Sequence, residues 1–376
     1  MIYFWRGPMT ENPYNTPIHS KPLPFLHVSG SHHEIGRQIG EGCRQAVRHS
    51  VENARQLLAD AYEELELTWD GARLQARKYM PFAQERYPQY VDEMAGIAEG
   101  ANLPFDDITA LNAMEAVSMD ALHLVSCTIL AVNEMHTVDG HILLAHNEDW
   151  LPDDEPDAYV VHVKPDDEPA FLAMSYGGLL PNVGFNAHGI AQLIDSVHPQ
   201  DSRIGIPRLV VARAVLAANS PTDAIKRAVV VQRAAGYNHL IAHESGEIYS
   251  VEVSARRFAI VYANDGIMAH TNNFLSPRMQ EIECEPERLI SSQLGYFRTL
   301  RLLRSTEKHT VESLQAIQKD HVDFPNSICN HAISDSSPLD REKTINAMVI
   351  DLTAREMHIA WGNPCQNKYH TFRLDE

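Results

Sequence analysis

Two apolar runs constrain this chain most: His123-Leu124-Val125-Ser126-Cys127-Thr128-Ile129-Leu130-Ala131-Val132 and His141-Ile142-Leu143-Leu144-Ala145-His146-Asn147-Glu148-Asp149-Trp150. Both are rich in β-branched and aliphatic residues, and the segment between them holds the Asp139-Gly140 turn signal, so they read as a β-hairpin. In that hairpin Cys127 starts one strand and Asp149 ends its partner, which puts both toward the same end. A cysteine beside a hydroxyl residue and within reach of a carboxylate has the makings of a nucleophile. A buried strand cysteine is more often a small core hydrophobe, and on the hairpin alone that reading has the greater weight.

The rest of the chain has the material to bury such a hairpin. Its 376 residues are 44% hydrophobic and 22% charged, the balance of a soluble globular protein of one large or two ordinary domains. No run approaches the roughly 18 apolar residues of a membrane helix. The N-terminal Met1 to Pro8 is too short and wrongly charged for a secretory signal, so a cytoplasmic location is expected. Five widely spaced cysteines without a C-x-x-C pair argue against a disulfide framework or zinc ribbon.

Fifty acidic against thirty-one basic side chains give a formal charge of −19, a field that repels nucleic acid and anionic membranes. Neither is expected as a partner. Twenty histidines raise the question of a metal. His239 and His243, however, lie four apart in a strand-like alternation, roughly 13 Å from one another. Two ligands of one ion cannot be so far apart, and the expectation is no metal and no cofactor.

Residues 1 to 25, rich in proline, asparagine and threonine, read as an irregular arm. From Ile35 to Ala61 apolar residues recur every three or four positions, predicting one long amphipathic helix. A second helical stretch from Ala72 is interrupted at Pro81 and Pro88, and Pro104 starts a third. Strands are predicted at 158–163, 170–176, 189–195, 238–242, 248–253, 258–262, 345–352 and 356–361, with helices at 207–218, 222–235, 286–304 and 310–319.

Several short segments, in this order, resemble the acyl-coenzyme A:isopenicillin N acyltransferase family of cysteine N-terminal-nucleophile hydrolases. They are His27 to Ser31 with Glu34 to Gly40; Ser126-Cys127-Thr128; Gly140 to Trp150; Gly184 to Gly189; His270-Thr271-Asn272-Asn273-Phe274; and Gly362-Asn363-Pro364-Cys365. The resemblance spans residues 26 to 366. It implies an α+β four-layer αββα sandwich, two antiparallel sheets between helical layers. It also implies self-cleavage between Ser126 and Cys127, giving segments 1–126 and 127–376 that remain one folded unit, with a homo-oligomer as a further option.

The chemistry gives that cleavage a purpose. An internal thiol is only a few per cent thiolate at neutral pH and needs a base. Cleavage creates an α-amine with a pKa of about 7.7–8.0 on the same residue, where a general base works well. By the resemblance, Cys127 is the nucleophile, Asp149 holds the new amine, and Asn272 donates to the tetrahedral oxyanion. Asn273, Asn147 and Asn238 are further amide candidates, and Arg298, after Ser291-Ser292, resembles an arginine that orders the nucleophile's surroundings. His146 and Glu148 stand where the family often has glutamine and tryptophan, a departure that bears on substrate recognition; His146 is either a titrating group or a solvated histidine.

The expected reaction is hydrolysis of a linear amide in a small N-acyl compound. Acyl transfer to an amine is the alternative, and a non-catalytic binding protein of the same fold is a third reading.

Overall fold

The computed structural model describes residues 19–114, 127–284, 286–332 and 341–375. Most of the expected N-terminal arm and Ser126, one side of the expected cleavage site, lie outside them. The predicted hairpin forms as β2 (Cys127–Val132) and β3 (Leu143–Trp150), with Cys127 opposite Glu148 and Val132 opposite Leu143. Every residue of β2 is buried. The reason is that both of its faces are covered: Ile129 and Ala131 enter one core with Leu144, while Leu130 and Val132 enter another with Leu143 and Ala145. A strand covered on both sides reads as a nearly continuous apolar run. Gly140, at φ +78°, takes the left-handed turn position that its Asp-Gly signal predicts.

The hairpin belongs to a six-stranded sheet in the order β11-β2-β3-β12-β13-β14, where β11 is Ile267–His270, β12 Lys343–Asp351, β13 Glu356–Trp361 and β14 Tyr369–Arg373. The second sheet has eight strands, β1-β4-β5-β6-β7-β8-β9-β10. These are Phe25–Gly30, Ala158–Pro165, Phe171–Tyr176, Val183–Asn186, Ile190–Ser196, Tyr237–His243, Ile248–Val253 and Phe258–Tyr262. Three apolar layers hold the molecule together. One lies between the sheets, one between the large sheet and helices of the first 112 residues with Arg208–Leu216, and one between the small sheet and helices Ile290–Arg304 and Val311–Gln318. The result is the αββα sandwich that the resemblance implies. Its strand pairs are antiparallel except at one edge, where β1 runs parallel to β4 with His27 opposite His162.

The amphipathic stretch after Ser31 is two helices, His32–Gly42 and Arg44–Asp60, meeting at Cys43. Its apolar stripe is continuous across the break: Ile35, Ile39, Cys43, Val47, Val51 and Leu58 are all buried. Ser31 and Glu34 start it with a reciprocal capping box. Helix His32–Gly42 crosses helix Pro88–Ala101 at backbone contact; a Cβ on Gly36 would sit 1.9 Å from the Glu93 carbonyl oxygen and one on Gly96 2.1 Å from that of His33. The helix predicted over 222–235 stops at Ala228, and Gln232 adopts φ +69°, which a helix cannot accommodate. Among the described residues no helix is long and apolar enough to cross a membrane.

Candidate active site

Strand register delivers the central contact. β11 pairs antiparallel with β2, His270 opposite Ile129, so two residues further along Asn272 comes to stand beside Cys127. The Cys127 backbone N–H donates to Asn272 Oδ1 at 2.7 Å. Asn272 Nδ2 donates to the Ser196 carbonyl at 3.0 Å, at the end of β7 in the other sheet. A donor on one side and an acceptor on the other fix which way the amide faces. Asn272 thus bridges the sheets with its oxygen on the nitrogen that cleavage would convert into an amine.

Cys127 opens onto a small pocket of about 50 Å3 where strands of both sheets end. Glu148, Trp150, Tyr176, Ile194, Ser196 and Tyr237 line it from the sheets, and Leu111 and Met114 cover it from the helical side. Among the described lining residues there is no lysine, arginine or histidine. The Arg208 guanidinium lies behind the wall, over the Tyr237 ring at 4.3 Å, and donates to the Gly236 carbonyl.

Burial governs the electrostatics here. It pushes the Cys127 thiol well above its ordinary value, and the nearby acids Glu148, Asp195 and Asp149 push it further. A resting thiolate is therefore disfavoured. Burial raises Glu148 to about 8 against the opposing 3.4 Å hydrogen bond from Tyr176, so this carboxyl is largely protonated at neutral pH. Burial lowers His146 to about 4 and keeps it neutral. Among the described residues its nitrogens have no hydrogen-bond partner, although Nε2 lies 3.6 Å from Glu148 Oε2, and ligand atoms of His146, Asp195 and Cys127 all lie within 4.8 Å of one another.

One buried cation offsets the acids. Burial alone would lower His270, but its hydrogen bonds to Asp195 at 2.8 Å and Glu252 at 3.2 Å, with their charges, raise it to about 9. The pH dependence of stability follows. Folded, His270 keeps its proton up to about 9 and Glu148 up to about 8, whereas their ordinary values are 6.5 and 4.5. Above pH 6.5 these two groups therefore hold more protons in the folded state than in the unfolded chain, and their contribution to stability falls as pH rises through this window, against the opposing contribution of Cys365, whose thiol is lowered to about 4 by the neighbouring Cys329. His146 acts in the opposite sense, but only below 6.5. The melting temperature is expected to drop from pH 6.5 to pH 8, where two groups act against one; an equal or higher value at pH 8 would contradict the buried network.

The other predicted residues are dispersed. The Asp149 backbone hydrogen-bonds the Cys127 thiol, while its carboxyl, raised by burial, accepts from Thr344 Oγ1 at 2.6 Å. As the neighbour of Glu148 along a strand, Asp149 points its side chain to the other face. Asn147, on that same face, is engaged elsewhere: its Nδ2 donates to the carbonyls of Gln318 and Ile328 and fastens a loop. Arg298 forms a two-contact ion pair with Asp320 and is not among the pocket-lining residues. Asn273 accepts from Ser292 and Thr271, and Asn238 accepts from Ser250 and donates to Asp195, so both amides are engaged away from Cys127. His146 is buried, not solvated.

Sequence reasoning did not single out Asp195, Glu252 or the charge on His270. Asp195 and His270 lie 75 residues apart and in different sheets, so no local spacing links them. Glu148 was noticed only as a departure.

A family model described as acyl-coenzyme A:6-aminopenicillanic acid acyl-transferase matches residues 135–366, starting just after Cys127. The chain is 24% identical over 356 residues to the acyl-coenzyme A:6-aminopenicillanic-acid-acyltransferase 40 kDa form of Emericella nidulans, covering 93% of this chain and 95% of that one. It is 25% identical over 224 residues to beta-alanyl-dopamine/carcinine hydrolase of Drosophila melanogaster, covering 54% and 56%. Penicillin V acylase from Agrobacterium tumefaciens aligns at 12% identity with TM-score 0.44, over 62% of this chain and 83% of that one. A variant of conjugated bile acid hydrolase from Clostridium perfringens aligns at 13% with TM-score 0.45, over 66% and 97%.

Proposed function

The chain belongs to the acyl-coenzyme A:6-aminopenicillanic acid acyl-transferase family, and on that premise we propose that it is a self-processing cysteine amidohydrolase acting on the linear amide of a small N-acyl compound. One observation carries the reading: the Cys127 N–H rests on Asn272 Oδ1 at 2.7 Å beside a small pocket. In processing, the Cys127 sulfur attacks the Ser126 carbonyl, the peptide C–N bond breaks, and the nitrogen leaves as the α-amine. Water then hydrolyses the thioester and leaves Cys127 at the head of a new chain.

In turnover the amine takes the thiol proton as sulfur attacks the substrate carbonyl. It passes that proton to the leaving nitrogen, and then activates the water that resolves the acyl-enzyme. The raised thiol favours this route over a standing thiolate, because the proton moves only as the carbonyl is attacked. Asn272 orients the amine through Oδ1. Its Nδ2 carries two hydrogens, one engaged by Ser196, and the second is our choice for the oxyanion. Asp149 acts as a positioning residue, its backbone on the thiol and its carboxyl anchored on Thr344.

The pocket supports a substrate class. Its apolar wall suits an uncharged acyl group, and a lining whose only acid is Glu148, with no basic side chain among the described residues, disfavours a carboxylate-bearing substrate. A neutral or cationic N-acyl amide is expected to be turned over faster than its carboxylate analogue, by roughly tenfold or more. Because Glu148 ionises only near pH 8, Glu148→Gln is expected to leave this order unchanged at neutral pH and to weaken binding of a cationic substrate only above about pH 8; a panel in which the anionic analogue is best would overturn this. Acyl transfer is favoured by the long match to the Emericella nidulans acyltransferase. It shares the acyl-enzyme, so adding an acceptor amine separates the two readings: transfer product in excess of free acid selects transfer.

A further inference from the structure

A second cluster of reactive side chains lies outside the pocket. His321 follows helix Val311–Gln318, Cys329 and His331 lie in the loop leading to β12, and Cys365 lies in the loop between β13 and β14. Their ligand atoms all fall within 4.8 Å of one another. The Nε2 atoms of His321 and His331 are 3.1 Å apart, and His331 Nε2 is 3.5 Å from both Cys329 Sγ and Cys365 Sγ. A tetrahedral zinc with Zn–N near 2.0–2.1 Å and Zn–S near 2.3 Å requires N–N edges of about 3.3 Å and N–S edges of about 3.6 Å. These three of its six edges fit that solid within about 0.2 Å.

We propose that His321, Cys329, His331 and Cys365 bind one Zn2+ ion as a closed structural site. Two thiolates and two imidazoles are a donor set that selects this ion over hard cations such as Mg2+ or Ca2+. Binding releases the two thiol protons, and the two thiolates balance the charge of the ion. All four positions are taken by protein, which leaves no vacancy for catalysis and assigns the ion a structural role.

The surroundings are built to hold the ligands. Asn363 Nδ2 lies 3.5 Å from Cys329 Sγ and donates to the Asn330 carbonyl at 2.7 Å, a polar contact to the sulfur of the kind that supports a thiolate ligand. Asn330, between two ligands, donates its N–H to Thr344 Oγ1 at 3.0 Å. Asn147 holds the Ile328 carbonyl at 2.6 Å. The Phe324 ring packs beside His331 and His321. Cys329 is fully buried and His321 exposed, so the site sits just below the surface with access from solvent.

This proposal runs against the expectation of no metal drawn from cysteine spacing and from the His239–His243 pair. The four ligands come from three separate stretches, and only folding assembles them. The site also touches the proposed chemistry at a distance. Cys329 adjoins Asn330, whose N–H reaches Thr344, which in turn holds Asp149 beside Cys127. An ion fastening this loop would steady Asp149.

The test is elemental analysis of the full chain purified without chelator, with Cys284→Ser as a control. About one zinc per chain is expected in wild type and control, falling below about 0.1 in the Cys329→Ser/Cys365→Ser double variant. Should that variant fail to fold, Co2+ loading of the wild-type chain is expected to give thiolate-to-cobalt charge-transfer absorption that added zinc displaces. Zinc retained by a folded double variant would overturn the proposal. So would wild-type protein that takes up no metal from added zinc, whether its two thiols prove free or joined as a Cys329–Cys365 disulfide by intact mass.

Discussion

Cys127→Ala is expected to abolish amide hydrolysis, lowering turnover by a factor of roughly 10^4 or more, as the loss of a covalent nucleophile does. The same substitution removes the sulfur that would attack the Ser126 carbonyl, so the variant is expected to remain a single chain. Its fold should survive. Cys127 is one buried residue at the start of β2, and alanine fills most of its space in a strand whose other members carry the packing. Unchanged turnover in a folded Cys127→Ala protein would remove the sulfur from the mechanism. Retained ligand binding and cellular role with no turnover in either protein would select the binding-protein reading.

The second large effect belongs to Asn272. Truncation to alanine loses the acceptor for the Cys127 nitrogen and the bridge to Ser196 together. Turnover is expected to fall by about 10^2 to 10^3, the usual effect of deleting one oriented amide at a tetrahedral intermediate, with KM changed far less. Asn272→Asp separates its two duties. The carboxylate keeps an oxygen for the amine but brings no N–H to the oxyanion or to Ser196, so turnover should stay low even where chain cleavage proceeds. Single-turnover kinetics on cleaved variants measure the first, and fragment mass the second. Wild-type rates in Asn272→Ala would reject the role.

What the sequence made legible is what short-range pattern controls. The hairpin of β2 and β3 could be read because both faces of each strand are buried, which turns the whole segment apolar around a turn glycine. The stripe from Ile35 to Leu58 could be read through the break at Cys43, since its spacing continues across both helices. Cys127 and Asp149 were placed at one end of the hairpin by strand length alone, and their register agrees with that placement. The resemblance added the likeness of Asn272, and the β11–β2 register then explains how it reaches Cys127.

Orientation and distant pairing were not legible. Asn147 and Asp149 face away from Glu148 because strand residues alternate, and which face meets the pocket depends on how the two sheets stack. Arg298 was placed by motif, but helix phase turns it toward Asp320. The buried Asp195–His270–Glu252 group draws on three strands, and the His321–Cys329–His331–Cys365 cluster on two loops. Neither has a spacing that a linear scan would register. Parallel pairing of β1 with β4 likewise depends on a contact across more than a hundred residues.

The central claim is that Cys127 becomes a chain terminus carrying both thiol and base. Intact mass of the purified wild-type protein under denaturing conditions tests it most directly. The account predicts two polypeptides, residues 1–126 and 127–376, the second beginning with an unblocked Cys127 amine and taking the label of a thiol-directed acyl analogue there. A single uncut chain of 376 residues that nonetheless hydrolyses N-acyl amides would contradict it, because the amine that is meant to carry the proton would not exist.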